Sequence, residues 1–493
     1  MLMTNFIIMI PEFILAMGSL TLLIAGAFGG KKNVHMILHG ACLFFLVALG
    51  VILSQLTNIE SHPQIIFQGQ FVHDTFSMTL KAVIIMLAGM VLLVTRTSLS
   101  KENISKFEYP ILIMLAALGM MIMVSAKGFL TLFMGLELQS LSLYILSSLK
   151  RNDSKASEAG MKYFLLGALS TGTLLYGISL IYGSTGGFSF EQVRVAISAF
   201  GTNPESLPIG LTVGFMFILA GLVFKVAVVP FHMWTPDVYE GTPTSITTFL
   251  STVPKIAAFG MIIRVLVDPF GPLVSQWVTP IMYLSMASMI LGSFAVLSQN
   301  NIKRFLAYSA IANAGYSLMG LMVFNTSGVE ATLLYVILYA LTIFGFFSCL
   351  VFLSQRGEKV ETISDISGIV RIYPGVAFIM VVFLFSLAGL PAPMAGFFAK
   401  LYIFNSAISA GLMTFAIVGV LTSLLLAAYY LRVIKVMLMD ETNIHNWTPV
   451  TQAVQDKAPM AFMILIAGLL SAFFINPNFF TAYLSKAASS LFV

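Results

Sequence analysis

The chain has 493 residues, a formal net charge of +5, and 58% hydrophobic against only 9% charged side chains. A soluble domain carries about 25% charged residues, so this balance excludes a soluble enzyme or nucleic-acid-binding module and indicates an all-α polytopic membrane protein. The two cysteines, Cys42 and Cys349, lie far apart in apolar runs and offer no iron–sulfur or zinc spacing.

Apolar segments of spanning length, about 20 residues, fall at 6–28, 34–56, 75–95, 109–126, 128–149, 160–183, 208–238, 243–268, 275–297, 302–324, 328–354, 372–405, 407–438 and 457–475. This predicts fourteen transmembrane helices. The first segment lacks the basic start and small-residue cleavage site of a signal peptide and reads as a retained span. Segments 208–238 and 372–405 are longer than a bilayer needs and contain Pro230 and the pair Pro391/Pro393, so each is expected to be a discontinuous helix. Segment 407–438 is expected to run past the membrane surface. The two broken segments are five spans apart and therefore antiparallel, which predicts two inverted five-helix repeats, each containing a discontinuous helix. The expected divisions are 1–108, an N-terminal three-helix segment; 109–270, the first repeat (helices 4–8); 271–440, the second (helices 9–13); and 441–493, a C-terminal helix and tail.

Basic residues cluster in alternate connectors: Lys31 and Lys32; Arg96, Lys101 and Lys106; Lys150, Arg151, Lys155 and Lys162; Lys303 and Arg304; Arg356, Lys359 and Arg371; Arg432, Lys435 and Lys457. The opposite connectors hold Lys127, Arg194 and Arg264, with Lys486 in the tail. The positive-inside rule then places both termini on the non-cytoplasmic side.

Charges within spans are costly, roughly 2.5–3.5 kcal/mol each on insertion scales, and usually functional. Four lysines qualify: Lys81, Lys225, Lys255 and Lys400. Lys81 lies early in its span, where it is expected to reach the headgroups or pair with Asp74. The other three are mid-span beside prolines, Lys225 before Pro230, Lys255 after Pro254 and Lys400 after Pro391 and Pro393. Glu137 reads as the only deep carboxylate. Three deep lysines facing one acid leave at least two without a fixed counter-ion, and such a lysine is suited to carrying protons. Charge beside a helix break marks an ion path. His232, just past the first break, is either a further relay group or a histidine satisfying local carbonyls. His35 and His39 have metal-like spacing but no third ligand and read as interfacial. Asp237 and Glu240 either capture protons or cap the eighth helix. Ser309, Asn313 and Tyr316 lie in a small-residue span that favours close packing and could also order water.

The strings FKVAVVPFHMWTPDVYEGTPTSITTFLSTVPKIAAFG, LAGLPAPMAGFFAKLYIF and GLELQSLSLYIL closely resemble the antiporter-like membrane subunits of respiratory complex I, the proton-pumping NADH:quinone oxidoreductase. The likeness is strongest over about 70–440. Lysine rather than glutamate at position 400, lysine rather than histidine at 255, and the absence of a long lateral helix after the last core spans make the N type the best match. The resemblance implies a proton-translocating membrane-arm subunit coupled to quinone reduction. Glu137 and Lys225 would be an interacting pair, Lys255 a central relay and Lys400 the terminal site. FMN, iron–sulfur clusters and quinone would belong to partner subunits, and the neighbours would be other antiporter-like and small membrane subunits and lipid. The implied location is a bacterial plasma membrane, or else a mitochondrial inner membrane. Two alternatives stay open: a subunit of a multi-subunit cation/proton antiporter, and a membrane scaffold that moves no ions.

Overall fold

A computed structural model describes residues 6–29, 33–58, 63–102, 104–201, 207–355, 360–390, 394–441 and 457–492. Helices lie over every predicted segment, and eleven among the described residues are long and apolar enough to cross a membrane. Three precede the central bundle: α1 (Ile10–Gly29), α2 (Val34–Thr57) and α3 (Thr75–Thr95), followed by the short α4 (Ser98–Lys101). Next come α5 (Glu108–Val124), α6 (Phe129–Ser147), the long α7 (Ser154–Thr185), α8 (Phe190–Phe200) and α9 (Ile209–Val226). After the first break stand α10 (Trp234–Gly241), α11 (Thr244–Leu250) and α12 (Val253–Val267). The rest are α13 (Val274–Val296), α14 (Ile302–Leu321), α15 (Thr326–Gln355), α16 (Pro374–Ala388), α17 (Ala395–Ser409), α18 (Met413–Met439), α19 (Ala458–Ile475) and α20 (Asn478–Ser489). The Pro391/Pro393 pair lies outside the described residues, as do Lys31, Lys32, Arg356 and Lys359.

Helices α12, α14 and α15 are buried over nearly their whole length and form the centre. The outer helices α1, α2, α7 and α13 keep one apolar face exposed, as lipid-facing helices must.

One small sheet departs from the expected all-helical chain. Strands β1 (Gln64–Ile66) and β2 (Phe71–His73) pair antiparallel, Ile65 opposite Val72. So short a hairpin is marginal alone. It is held by Val72 N donating to Ser125 O at 2.9 Å and Lys127 N donating to Gln70 O at 2.9 Å.

Helix α3 starts at this hairpin and ends beside the connectors rich in Lys and Arg. At that basic end Lys106 Nζ donates to Leu149 O at 2.9 Å, and Asp237 joins Lys162 and Arg304, each at 2.8 Å. Glu240 also pairs with Arg304, at 3.0 Å. Asp237 and Glu240 thus tie α10 to α7 and α14 rather than capping the eighth helix. Helix α20 docks at the opposite, hairpin end, where Ser490 Oγ accepts from Phe76 N at 3.3 Å.

The hairpin end contains charges that the sequence reading misplaced. Lys81 is fully buried and pairs with Glu12 of α1 at 2.6 Å, neither reaching a headgroup nor meeting Asp74. Asp74 is already bound to Arg264, whose two terminal nitrogens reach its two oxygens at 2.9 Å each while Nε donates to Val124 O at 3.0 Å. Arg264 is therefore a buried cross-link between α12, α5 and the start of α3, not a connector charge. Asp74 also caps α3, accepting from Ser77 N at 2.8 Å.

Removing one partner of a buried pair strands the other. Asp74→Ala should thus destabilise the chain by about 3–5 kcal/mol, read as a lowered unfolding midpoint in detergent. Lys162→Ala, at an exposed pair, should leave the midpoint nearly unchanged; equal effects would refute this division.

Candidate functional site

The first break runs from Ala227 to Met233. Ala227 caps α9 with a left-handed backbone, φ +63°, a conformation costing a non-glycine residue roughly 1–2 kcal/mol. The polar groups that the break frees find partners. Phe224 O accepts from the indole Nε1 of Trp234 at 3.1 Å, and Val229 N donates to Ser288 Oγ of α13 at 2.9 Å. Lys225 occupies the last turn of α9, where the carbonyl end of the helix dipole favours a cation. Its Nζ donates to Ser140 Oγ of α6 at 2.9 Å and lies 5.9 Å from the Tyr144 ring centroid.

Glu137, Ser140 and Tyr144 are spaced i, i+3, i+7 on α6, so one helical face carries all three. Glu137 sits one turn from the serine that holds Lys225, yet no ion pair joins it to a lysine among the described residues. Its Oε1 is buried without a hydrogen-bond partner, as is the Tyr144 hydroxyl.

The eighth predicted segment is also interrupted, beside the Pro254 that the sequence placed next to Lys255. Helix α11 stops at Leu250, and α12 begins at Val253 with Pro254 in its first turn, a position where the missing N–H is not needed. Lys255 follows, 5% exposed. Its Nζ makes one long hydrogen bond, 3.4 Å to Ala310 O of α14, and stands 5.6 Å from the ring of Tyr339 on α15.

At the second break, α16 ends on Gly389, φ +69°. A Cβ there would come within 2.6 Å of the Lys400 side chain, so glycine both permits the turn and makes room for the lysine. Gly396, at the start of α17, approaches so closely that a Cβ would lie 1.8 Å from Ser386 O. Lys400 reaches back from α17 to the carbonyl end of α16, donating to Ala388 O at 2.9 Å and to Ser423 Oγ of α18 at 2.8 Å. The Tyr316 ring lies 5.5 Å away, its hydroxyl donating to Thr422 Oγ1 at 3.0 Å.

Beside Lys400 lies a cavity of about 20 Å³ lined by Asn313, Tyr335, Tyr339, Thr342, Ser386 and Lys400, room for one water. Tyr335 donates to Asn313 Oδ1 at 2.5 Å, and Asn313 donates to Ser309 O at 2.7 Å. The Tyr339 hydroxyl is buried without a partner. Tyr339 thus stands near Lys255 and also lines the cavity beside Lys400.

The three lysines share a feature: among the described residues none of them pairs with a carboxylate, and each is held by a carbonyl or hydroxyl oxygen. His232 does not join them; its Nδ1 is buried without a partner. His39 Nδ1 contacts its own helix at His35 O, 2.6 Å, and no group of three metal-binding side chains occurs among the described residues. Tyr339, Ser140 and Ser423 were not foreseen from sequence. Only Ser140 gave a signal, by its i+3 spacing from Glu137.

The family model described as "NADH:quinone oxidoreductase/Mrp antiporter, TM" matches residues 126–426, which hold all of these groups. NADH-quinone oxidoreductase subunit N of Parvibaculum lavamentivorans is 45% identical over 438 residues, 89% of this chain and 88% of that protein. The subunit N of Methylobacterium nodulans is 41% identical over 485 residues, 98% and 97% of the two chains. Among solved structures, a chain of respiratory complex I from Thermus thermophilus superposes with a TM-score of 0.78 at 29% identity, covering 97% of this chain and all of that one. A chain of the Mrp complex from a Dietzia species shares the fold alone, with a TM-score of 0.82 at 20% identity over 98% of this chain and 97% of that one. On this match the chain belongs to the NADH-quinone oxidoreductase subunit N family, the antiporter-like membrane subunits of complex I.

Proposed function

We propose that Glu137, Lys225, Lys255 and Lys400 form an intramembrane proton relay, driven by quinone reduction in partner subunits of the complex. The carrying observation is that the three lysines are bound by neutral oxygens. A lysine locked to a carboxylate leaves an uncompensated charge when it gives up its proton; one held by a hydroxyl or carbonyl does not. Glu137, one turn from the oxygen that holds Lys225, acts as the switch. An opposite charge brought to about 4 Å contributes roughly 4 kcal/mol at an effective dielectric of 20, enough to load or discharge a lysine. Lys255 passes the proton through the Tyr339 hydroxyl and the adjacent cavity to Lys400. His232 remains a further candidate, with no contact to a lysine among the described residues to support it.

In this reading FMN, iron–sulfur clusters and quinone are held by partner subunits, and this chain transfers protons only. Fourteen helices cross the membrane, with 109–270 and 271–440 as inverted repeats between the 1–108 segment and the 441–493 tail; each repeat then ends with a broken helix followed by one more span. The position of α20 at the end opposite the basic connectors supports termini on the non-cytoplasmic side of a bacterial plasma membrane. The antiporter and scaffold alternatives are less favoured, since the relatives at 41–45% identity are N subunits.

Three outcomes are expected of the assembled complex in proteoliposomes. Lys225→Ala, Lys255→Ala and Lys400→Ala should each impair pumping while stability holds or rises, because deleting an unpaired buried charge relieves its desolvation; failure of all three to assemble would favour a structural role. Glu137→Gln keeps shape but removes the charge, so coupled turnover should fall while NADH oxidation by an artificial acceptor persists, with Glu137→Asp retaining part of the activity. Wild-type pumping by an assembled Glu137→Gln complex would rule out the switch. Tyr339→Phe deletes an unpartnered hydroxyl, so it should assemble normally yet pump more slowly, and unaltered pumping would remove Tyr339 from the path.

A further inference from the structure

At the basic end of the bundle a polar cavity of about 180 Å³ opens among Glu102, Lys150, Lys155, Glu240, Thr242 and Lys303. The relay described above does not use it. Burial pushes the Glu102 carboxyl above the usual carboxylate range, so it can hold a proton at milder pH than an exposed glutamate. Its Oε2 accepts a hydrogen bond of 2.5 Å from Ser245 Oγ, and Ser245 is fully buried on α11. Lys303 donates its Nζ to Thr242 O at 2.6 Å, and its charge and that of Lys150 only partly offset the burial of Glu102.

From Ser245 the chain leads inward. Seven of the eleven residues from 242 to 252 carry hydroxyls, a density that stands out in a segment of a membrane protein. Ser245 and Thr248, three residues apart, share one face of α11; Thr252, in the interruption that follows, keeps its hydroxyl on Thr248 O, and Lys255 stands three residues on in α12. All three hydroxyl residues are fully buried. Thr248 and Thr252 each donate to the carbonyl four residues back, Thr244 O and Thr248 O, at 2.7 Å, so the lone pairs of both hydroxyls stay available as acceptors. Hydroxyls one turn apart are about 5–6 Å distant, a gap that one water bridges. The interruption of this segment at Ser251–Thr252 occurs where the hydroxyl run meets Lys255.

We propose that Glu102 takes protons from the basic-end cavity and delivers them through Ser245 and Thr248 of α11, and Thr252 in the interruption after it, to Lys255. A proton from cavity water binds a Glu102 oxygen. The hydrogen bond to Ser245 then reverses, with the carboxylic acid donating and the serine turning its own proton inward. Water-bridged hydroxyls repeat the exchange until a proton reaches the neutral Lys255 amine, and only O–H and N–H bonds change. The inlet rests on the reading of Lys255 as a proton carrier and supplies the step that feeds it.

The test uses the assembled complex in proteoliposomes, with NADH oxidation by an artificial acceptor as the control for the partner subunits. Thr248→Val keeps shape and removes the hydroxyl; Thr248→Ser keeps the hydroxyl. The expected result is that Thr248→Val and Glu102→Gln lower pumping on the order of tenfold, less than the roughly hundredfold loss of a proton-transfer group because water substitutes in part, while Thr248→Ser pumps normally. Equal defects in Thr248→Val and Thr248→Ser would show a packing role and overturn the inlet. Normal pumping by Thr248→Val and Glu102→Gln, with Lys255→Ala impaired, would overturn the inlet and leave the relay standing. Normal pumping by Lys255→Ala would overturn the relay itself. If Glu102→Gln does not assemble, the Thr248 pair decides.

Discussion

Breaking a helix inside a bilayer frees carbonyl and amide groups that water cannot reach, and each must find a partner within the protein. This chain meets that constraint in two ways. At the first break it spends side chains, with the Trp234 indole closing on Phe224 O and the Ser288 hydroxyl receiving Val229 N. At the second it uses a lysine, because Ala388 O at the end of α16 accepts from Lys400. The same backbone group that needs a donor gives the ammonium its acceptor.

The charges fall into two populations. Near the hairpin end, Lys81 with Glu12, Arg264 with Asp74, and Lys127 with Asp268 form pairs at 2.5–2.9 Å. These neutralise each other and cross-link α1, α3 and α12. Lys225, Lys255 and Lys400 are held only by neutral oxygens and aromatic faces. A cation over a ring gains about 0.5–2 kcal/mol, far less than desolvation takes away. The fold therefore separates charges paired with carboxylates from charges held by neutral oxygens.

The parts of this arrangement visible in the sequence are those imposed by the bilayer. Apolar run length located the helices, and Lys225, Lys255 and Lys400 stood out because a charge is rare at such depth. Pro230 marked the first break. Choice of partner was not visible, because it depends on which distant helices touch. Asp74 looked like a neighbour for Lys81, seven residues away, but binds Arg264 across 190 positions; Glu12 passed unremarked while Glu137 read as the only deep carboxylate, and proved to be the buried counter-ion of Lys81. In the eighth segment Pro254 marked a disruption beside Lys255 but not its exact place. Its proline begins the new helix instead of ending the old one, so the interruption precedes Pro254, at Ser251–Thr252, where only hydroxyls mark it. Tyr339 was invisible because a tyrosine in an apolar run reads as packing until its hydroxyl is seen to lack a partner.

The three lysines are not equivalent, and their differences suggest a direction of flow in the proposed relay. Lys225 lies at the carbonyl end of its own half-helix, and Lys400 reaches the carbonyl end of the preceding one; both ends carry partial negative charge. Lys255 lies in the first turn of α12, the positive end, with a single 3.4 Å hydrogen bond. Positive charge is therefore least compensated at the centre and better compensated on both flanks. The proposed inlet along α11 leads to this central position rather than to either flank. Glu137 acts on one flank only, so its movement would tilt an otherwise balanced pair and turn a symmetrical store of charge into a directional step.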